Sequence, residues 1–206
     1  MCENWLRTNV AQEAVSALEM AGQSLSNVEK DLYQWKWAIL ALHSCLQGFM
    51  VMALQGNDGL NCLKDKVKDE WLRRYRAKEY EKLDLDNFYI NDKKVNPLDN
   101  FLNLYKKIKK PNKMGFYNHS KPFEPSGTQE SSIKKLNSLR NDFVHFVPKI
   151  WSLEVTGLPQ IFLDCLNIIH FLGWECGNII WYKSSVEKRA SEALAEAMKK
   201  IKHLSS

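Results

Sequence analysis

From Trp37 to Asn57 the chain contains no Asp, Glu, Lys or Arg. A segment that long and that apolar must be buried on most sides, either in a bilayer or at the centre of a protein. His43, Ser44, Gln47 and Gly48 interrupt its middle, and no basic flank clearly marks the cytoplasmic side, so a core helix is expected rather than a membrane span. Ser26 followed by Glu29 has the spacing of a capping box and predicts that this helix opens near residue 26 and runs to about Leu54. Gly56-Asn57-Asp58-Gly59 is a strong turn signal that closes it.

A fold must then be found that wraps this helix. Apolar residues at Leu6, Val10, Ala14, Ala17, Leu18 and Ala21 recur with a helical period and predict a helix over about 5–21. After the turn, residues 60–81 read as a charged, exposed helix with Trp71, Leu72 and Tyr75 on one side. Phe88-Tyr89-Ile90 has the composition of a short strand. Residues 98–110 give an amphipathic helix with Phe101, Leu102, Tyr105 and Ile108 inward and the lysines outward, followed by a Pro- and Gly-containing loop over 111–127.

Thr128 or Ser131 can cap a helix that runs to about Phe146, where Pro148 stops it. An apolar helix is expected from about residue 160 to Tyr182, with Gly173 and Gly177 allowing close helix approach. An Ala- and Lys-rich amphipathic helix over 185–204 completes the chain. These elements predict one all-α domain over 1–206. Its first two and last three helices form a bundle, with residues 57–127 as a mixed, basic insertion.

The whole protein carries a net charge of +5, but eight Lys and a single acid, Asp99, lie between Lys93 and Lys121. That stretch is +7 and the remainder about −2, so the positive charge is local. Localised basic charge suits a polyanion such as RNA, and also fits a solvated lysine-rich loop. Lys106, Lys107, Lys109, Lys110 and Lys113 are the candidate phosphate contacts, with Tyr105, Phe116 and Tyr117 as stacking surfaces. The five Cys (2, 45, 62, 165 and 176) are scattered and odd in number, without a C-x-x-C pair. They read as small core hydrophobes in a reducing compartment, and the first residues lack signal-peptide character, so a cytoplasmic location is expected. No metal or organic cofactor is implied.

The segment with most chemistry is Arg140-Asn141-Asp142-Phe143-Val144-His145. Arg presents a forked, permanently charged donor array to phosphate oxygens. His titrates nearest neutral pH, and the Asn amide can orient the imidazole or donate to phosphate. On a helical wheel Leu136, Leu139, Phe143 and Val147 form the buried stripe, while Asn141 and His145 share an edge. Arg140 lies about 140° from His145 on an ideal helix. Three arrangements bring them together: a bent Arg side chain, a helix that loosens before Pro148, or two copies meeting about a two-fold axis. Equally, the residues alone fit a surface Arg and a His on the last helix carbonyls. His170 reads as a satisfied core His, and His119 as exposed. Trp35, Trp37, Trp151, Trp174 and Trp181 read as core or dimer-interface residues.

Arg140-Asn141-x3-His145 resembles the Arg-x(4–6)-His signature of the HEPN superfamily, in which the residue after Arg is commonly Asn, Asp or His. The setting is similar too, a late helix of an all-α bundle. The resemblance implies a homodimeric endoribonuclease that needs no metal, of the kind found among toxins and phage-defence effectors. A 2′-hydroxyl would attack the adjacent phosphorus, with Arg140, Asn141 and His145 as the catalytic set. It also implies a regulatory partner, such as a nucleotidyltransferase-type antitoxin. Some members add a polar residue from an earlier helix, for which His43 and Gln47 are the available candidates. Two other readings stand beside it: a catalytically silent HEPN-like module binding RNA, a nucleotide or a protein, and an unrelated all-α interaction protein.

Overall fold

A computed structural model of the protein describes residues 5–145, 148 and 150–205. The fold is all-α, apart from one two-stranded antiparallel hairpin. Helix α1 spans Val10–Leu25, α2 Gln34–Gln55, α3 Asp65–Arg76, α4 Phe101–Ile108, α5 Pro111–Met114, α6 Gln129–Val144, α7 Leu158–His170 and α8 Ser184–His203. Strands β1 (Tyr89–Ile90) and β2 (Lys93–Lys94) form the hairpin.

Helix α2 is the axis of the bundle. By length and composition alone it could cross a membrane, yet Leu42, Leu46, Phe49, Met50 and Leu54 are fully buried within the fold. Burial of each such side chain contributes roughly 1.5–3 kcal/mol. Helices α1, α6 and α7 pack on α2, and α8 closes the bundle against α1 and α7. At the α1–α2 crossing a Cβ on Gly48 would sit 2.7 Å from Ala14 Cβ, so glycine sets how closely these helices approach.

The start of α2 differs from expectation. Ser26 does not open it; its hydroxyl donates to Gly22 O (2.9 Å) and ends α1. Asp31 instead begins a turn ahead of it, its carboxylate accepting from Tyr33 N at 2.9 Å and from Gln34 Nε2 at 3.2 Å, and α2 starts at Gln34 without a side-chain cap. Helix α1 also starts later than predicted, because Asn9 Oδ1 accepts from Gln12 N (3.0 Å) and caps it at Val10.

Residues 57–127 divide into two parts. Leu60, Leu63, Val67 and Phe88 build a small separate cluster, with Trp71 and Leu72 against it. Helix α4, by contrast, belongs to the main core. Phe101, Leu104, Tyr105 and Ile108 are buried there, and the helix packs on both α2 and α6. The predicted 60–81 helix is shorter, with α3 flanked by single 3₁₀ turns at Leu60–Cys62 and Tyr80–Lys82. The expected 111–127 loop contains the short α5.

The long apolar helix expected to reach Tyr182 ends early. It passes into a π-helical turn over Phe171–Glu175 and then leaves helical geometry. Gly177 has a φ of 74°, and buried Asn178 donates to Ala53 O (3.0 Å) and Met114 O (2.8 Å), which pulls the chain across the bundle end. Of the two glycines expected at a helix contact, only Gly173 serves that purpose, lying against Phe49. His170 is exposed rather than in the core and pairs with Glu175 at 2.8 Å. Trp35 is buried, but Trp37 is 51% exposed. Cys45, Cys62, Cys165 and Cys176 are free and buried, as expected of small core hydrophobes; Cys2 lies outside the described residues.

Candidate functional site

Arg140 and Asn141 occupy the last turn of α6, and His145 is the first residue beyond it. Leu136 and Leu139 are buried beneath them and fix the rotation of the helix; Phe143 is half-buried. Val147 and Phe146, expected to continue the stripe and the helix, lie outside the described residues. The helix stops at Val144, whose carbonyl has no N–H partner to gain from Pro148. His145 still donates its backbone N–H to Asn141 O (2.9 Å), but with φ −91° and ψ 94° it has left helical geometry, and its side chain is exposed. The 140° separation computed for an ideal helix therefore no longer applies.

Arg140 is half-buried and donates from Nη1 to Asn141 Oδ1 at 3.1 Å. Asn141 thus holds the guanidinium of its neighbour, and no hydrogen bond joins Arg140 to His145 among the described residues. Beneath them is a second polar layer. One turn before Asn141, Asn137 Oδ1 accepts from His43 Nε2 of α2 at 3.4 Å. The His43 ring stacks on Phe101 of α4, with centroids 4.0 Å apart and 21° between planes. Three helices therefore meet under the motif. Asn137 was not among the sequence candidates; its signal was its position four residues before Asn141, on the same helix edge. Gln47, the other residue considered on α2, is half-buried and shows no hydrogen bond to this cluster among the described residues.

Burial lowers the pKa of His43 to about 4, opposed by its hydrogen bond to Asn137 and assisted by the charge of Arg140. His43 is therefore a neutral strut at physiological pH. The unfolded chain binds a proton here below about pH 6.5 and the folded chain does not, so this contribution to stability is complete above pH 6.5 and falls as pH approaches 4. The shift corresponds to about 3 kcal/mol. Urea titrations at pH 7 and 4.5 should show this acid-side loss in wild type, and His43→Gln should flatten the difference. Parallel curves for the two proteins would assign the pH dependence to other groups.

The basic candidates separate sharply. Lys107 is not a surface contact: it is 4% exposed, and its ammonium lies 2.7 Å from buried Asp99 and also donates to Leu63 O. Lys109 is bound to Glu130 at 2.8 Å and lies over the Tyr105 ring. Lys106 and Lys110 are exposed, and Lys113 is partly buried near Asp65. Of the stacking candidates, Tyr105 is buried in the core, while Phe116 and Tyr117 are half-buried.

Next to the motif, on the Asp142–Phe143 side of α6, lies an open groove of about 700 Å³ lined mainly by apolar side chains, among them Tyr33, Trp35, Ile150 and Trp151. Leu32, Tyr33, Val144 and Ile150 are exposed around it. No protein-family model, no curated protein and no solved structure matches this chain.

Proposed function

We propose that this protein is an endoribonuclease of the HEPN type, acting as a cytoplasmic homodimer without a metal. The observation that carries the reading is the end of α6 at Val144: a guanidinium held by Asn141 lies in the last turn, and an exposed imidazole immediately follows it. In the proposed reaction His145 takes the proton of a ribose 2′-hydroxyl, whose oxygen forms a bond to the adjacent phosphorus. The bond from phosphorus to the 5′-oxygen breaks, and that oxygen leaves with a proton drawn from water. The products are a 2′,3′-cyclic phosphate and a 5′-hydroxyl. Arg140 stabilises the charge that accumulates on the phosphorane oxygens, where a positioned cation acts more strongly than on the ground state.

The apolar exposure of Val144, Ile150 and Trp151 beside the motif supports a second copy at this face. A two-fold pair would place two Arg140–His145 sets together. Toxin or phage-defence roles, and control by a nucleotidyltransferase-type antitoxin, belong to the same reading. The test is incubation of the purified protein with tRNA and total RNA in EDTA, with product ends mapped. Cyclic phosphates made by wild type and not by His145→Ala are the expected result. A folded protein that cuts no RNA across several substrates and pH values would instead favour a silent binding module.

A further inference from the structure

Three helices from the 57–127 region bring ammonium groups to one place, and the pairing is unequal. Lys107 Nζ lies 3.4 Å and Lys113 Nζ 3.8 Å from the same Asp65 Oδ1, but Lys107 already has Asp99 as its closer partner. Buried Asn61 ties the group together. Its Oδ1 accepts from Lys68 Nζ at 2.8 Å, and its Nδ2 donates to Lys113 O at 3.2 Å. Lys68 of α3 is thereby fixed beside α5, next to Lys113 and near exposed Lys110. Among the described residues Asp65 is the one carboxylate paired with this group besides Asp99, and its side chain is 73% exposed.

We infer that Lys68, Lys110 and Lys113 form a phosphate-binding cradle for the backbone of a single-stranded RNA whose other end lies at Arg140 and His145. The inference rests on RNA as the substrate proposed above. The crowding itself indicates an anion. Burial lowers the pKa of Lys113, and so do Lys68, Lys107 and Lys110, against the opposing pull of Asp65. A bound phosphate relieves that repulsion. Phosphate oxygens accept from several ammonium groups at once, and Lys binds them as point charges without a fixed fork. Lys106 and Lys109 are outside the cradle, Lys109 being taken up by Glu130.

Position supports the same ligand. Helix α4 connects the two places: Phe101 at its start stacks on His43 under the motif, and Lys110 follows its end. Lys109, next to Lys110, pairs with Glu130 in the first turn of α6, ten residues before Arg140 and fifteen before His145, so at 1.5 Å per residue the two places lie about 15–22 Å apart along α6. A few nucleotides of extended strand are long enough to span that distance.

Binding is measured by fluorescence anisotropy of a short, labelled 2′-O-methyl RNA, which cannot be cleaved by 2′-hydroxyl attack. The triple variant Lys68→Gln/Lys110→Gln/Lys113→Gln should bind roughly tenfold more weakly or worse at low salt. The slope of log affinity against log salt should fall by about 2, at roughly 0.7 per phosphate contact. Lys30→Gln/Lys188→Gln/Lys199→Gln, with the same loss of charge elsewhere, should keep the slope of wild type. Asp65→Asn removes the competing carboxylate and should tighten binding, a change of opposite sign that loss of folding cannot imitate. Equal slopes for wild type and the first triple variant overturn the cradle, as does a wild type that binds no RNA. Normal slope changes in a protein that cleaves nothing would uphold the cradle and remove the nuclease reading instead.

Discussion

His145→Ala is expected to slow RNA cleavage by ~10²–10⁴-fold, the usual contribution of a positioned general acid or base. Arg140→Ala should cost a comparable factor through loss of transition-state charge stabilisation. If the two groups act on one transition state, the double variant should be little slower than the worse single one, because groups that act as a unit are non-additive. Arg140→Lys separates charge from geometry. It keeps the cation but gives up the planar fork and its bond to Asn141, so it should recover only part of the rate. Asn141→Asp adds a negative charge beside the guanidinium and should lower the rate without unfolding the protein. Single-turnover rates in EDTA, with anisotropy binding alongside, separate these effects. Unchanged rates in both Ala variants would detach cleavage from this motif altogether.

How much of this could be read beforehand depends on how local each determinant is. Helices α2 and α8 were legible because apolar runs and a 3.6-residue period lie within the segments themselves. The start of α2 was not. The Ser26–Glu29 spacing is a valid local capping signal, but Ser26 bonds backward to Gly22, and α2 opens at Gln34 behind a turn that begins at Asp31. Likewise, an unbroken apolar run concealed the end of the helix after Phe171, because what turns the chain is Asn178 reaching Ala53 and Met114, both distant in sequence. The motif shows the same division. Arg140, Asn141 and His145 could be singled out from six consecutive residues. The support from Asn137, His43 and Phe101 needed contacts between α6, α2 and α4. The lysines were the least legible. One run of like residues proved to contain a buried ion pair, a paired surface residue and part of a cation cluster whose third member, Lys68, lies on α3.

Lys107→Ala is expected to destabilise the fold by about 3–5 kcal/mol, the cost typical of leaving one partner of a buried ion pair unpaired. Lys107 and Asp99 are 4% and 5% exposed and 2.7 Å apart. Burial alone would raise the pKa of Asp99; hydrogen bonds from Lys107, Asn103 and the Asn100 N–H outweigh it and hold the carboxyl below the ordinary range. In wild type this pair therefore stabilises the fold above the unfolded carboxylate pKa of roughly 3.9, and the contribution is lost as pH falls through the lower folded value. Without the ammonium, burial should dominate and raise the Asp99 pKa, which reverses the sign. The variant should recover part of its loss as the carboxyl protonates on going from pH 7 to 5, while wild type gains nothing from this pair. Asp99→Asn in the Lys107→Met background removes the stranded charge. It also keeps an oxygen for Asn100 N and Asn103 Nδ2, which both bond Asp99 at 2.9 Å, so it should restore more than half of the lost stability. Urea unfolding of wild type, Lys107→Ala, Lys107→Met and Lys107→Met/Asp99→Asn at pH 7 and 5 decides the matter. Losses under about 1 kcal/mol would mean that Lys107 behaves as an exposed lysine, with the pair worth no more than a surface bridge.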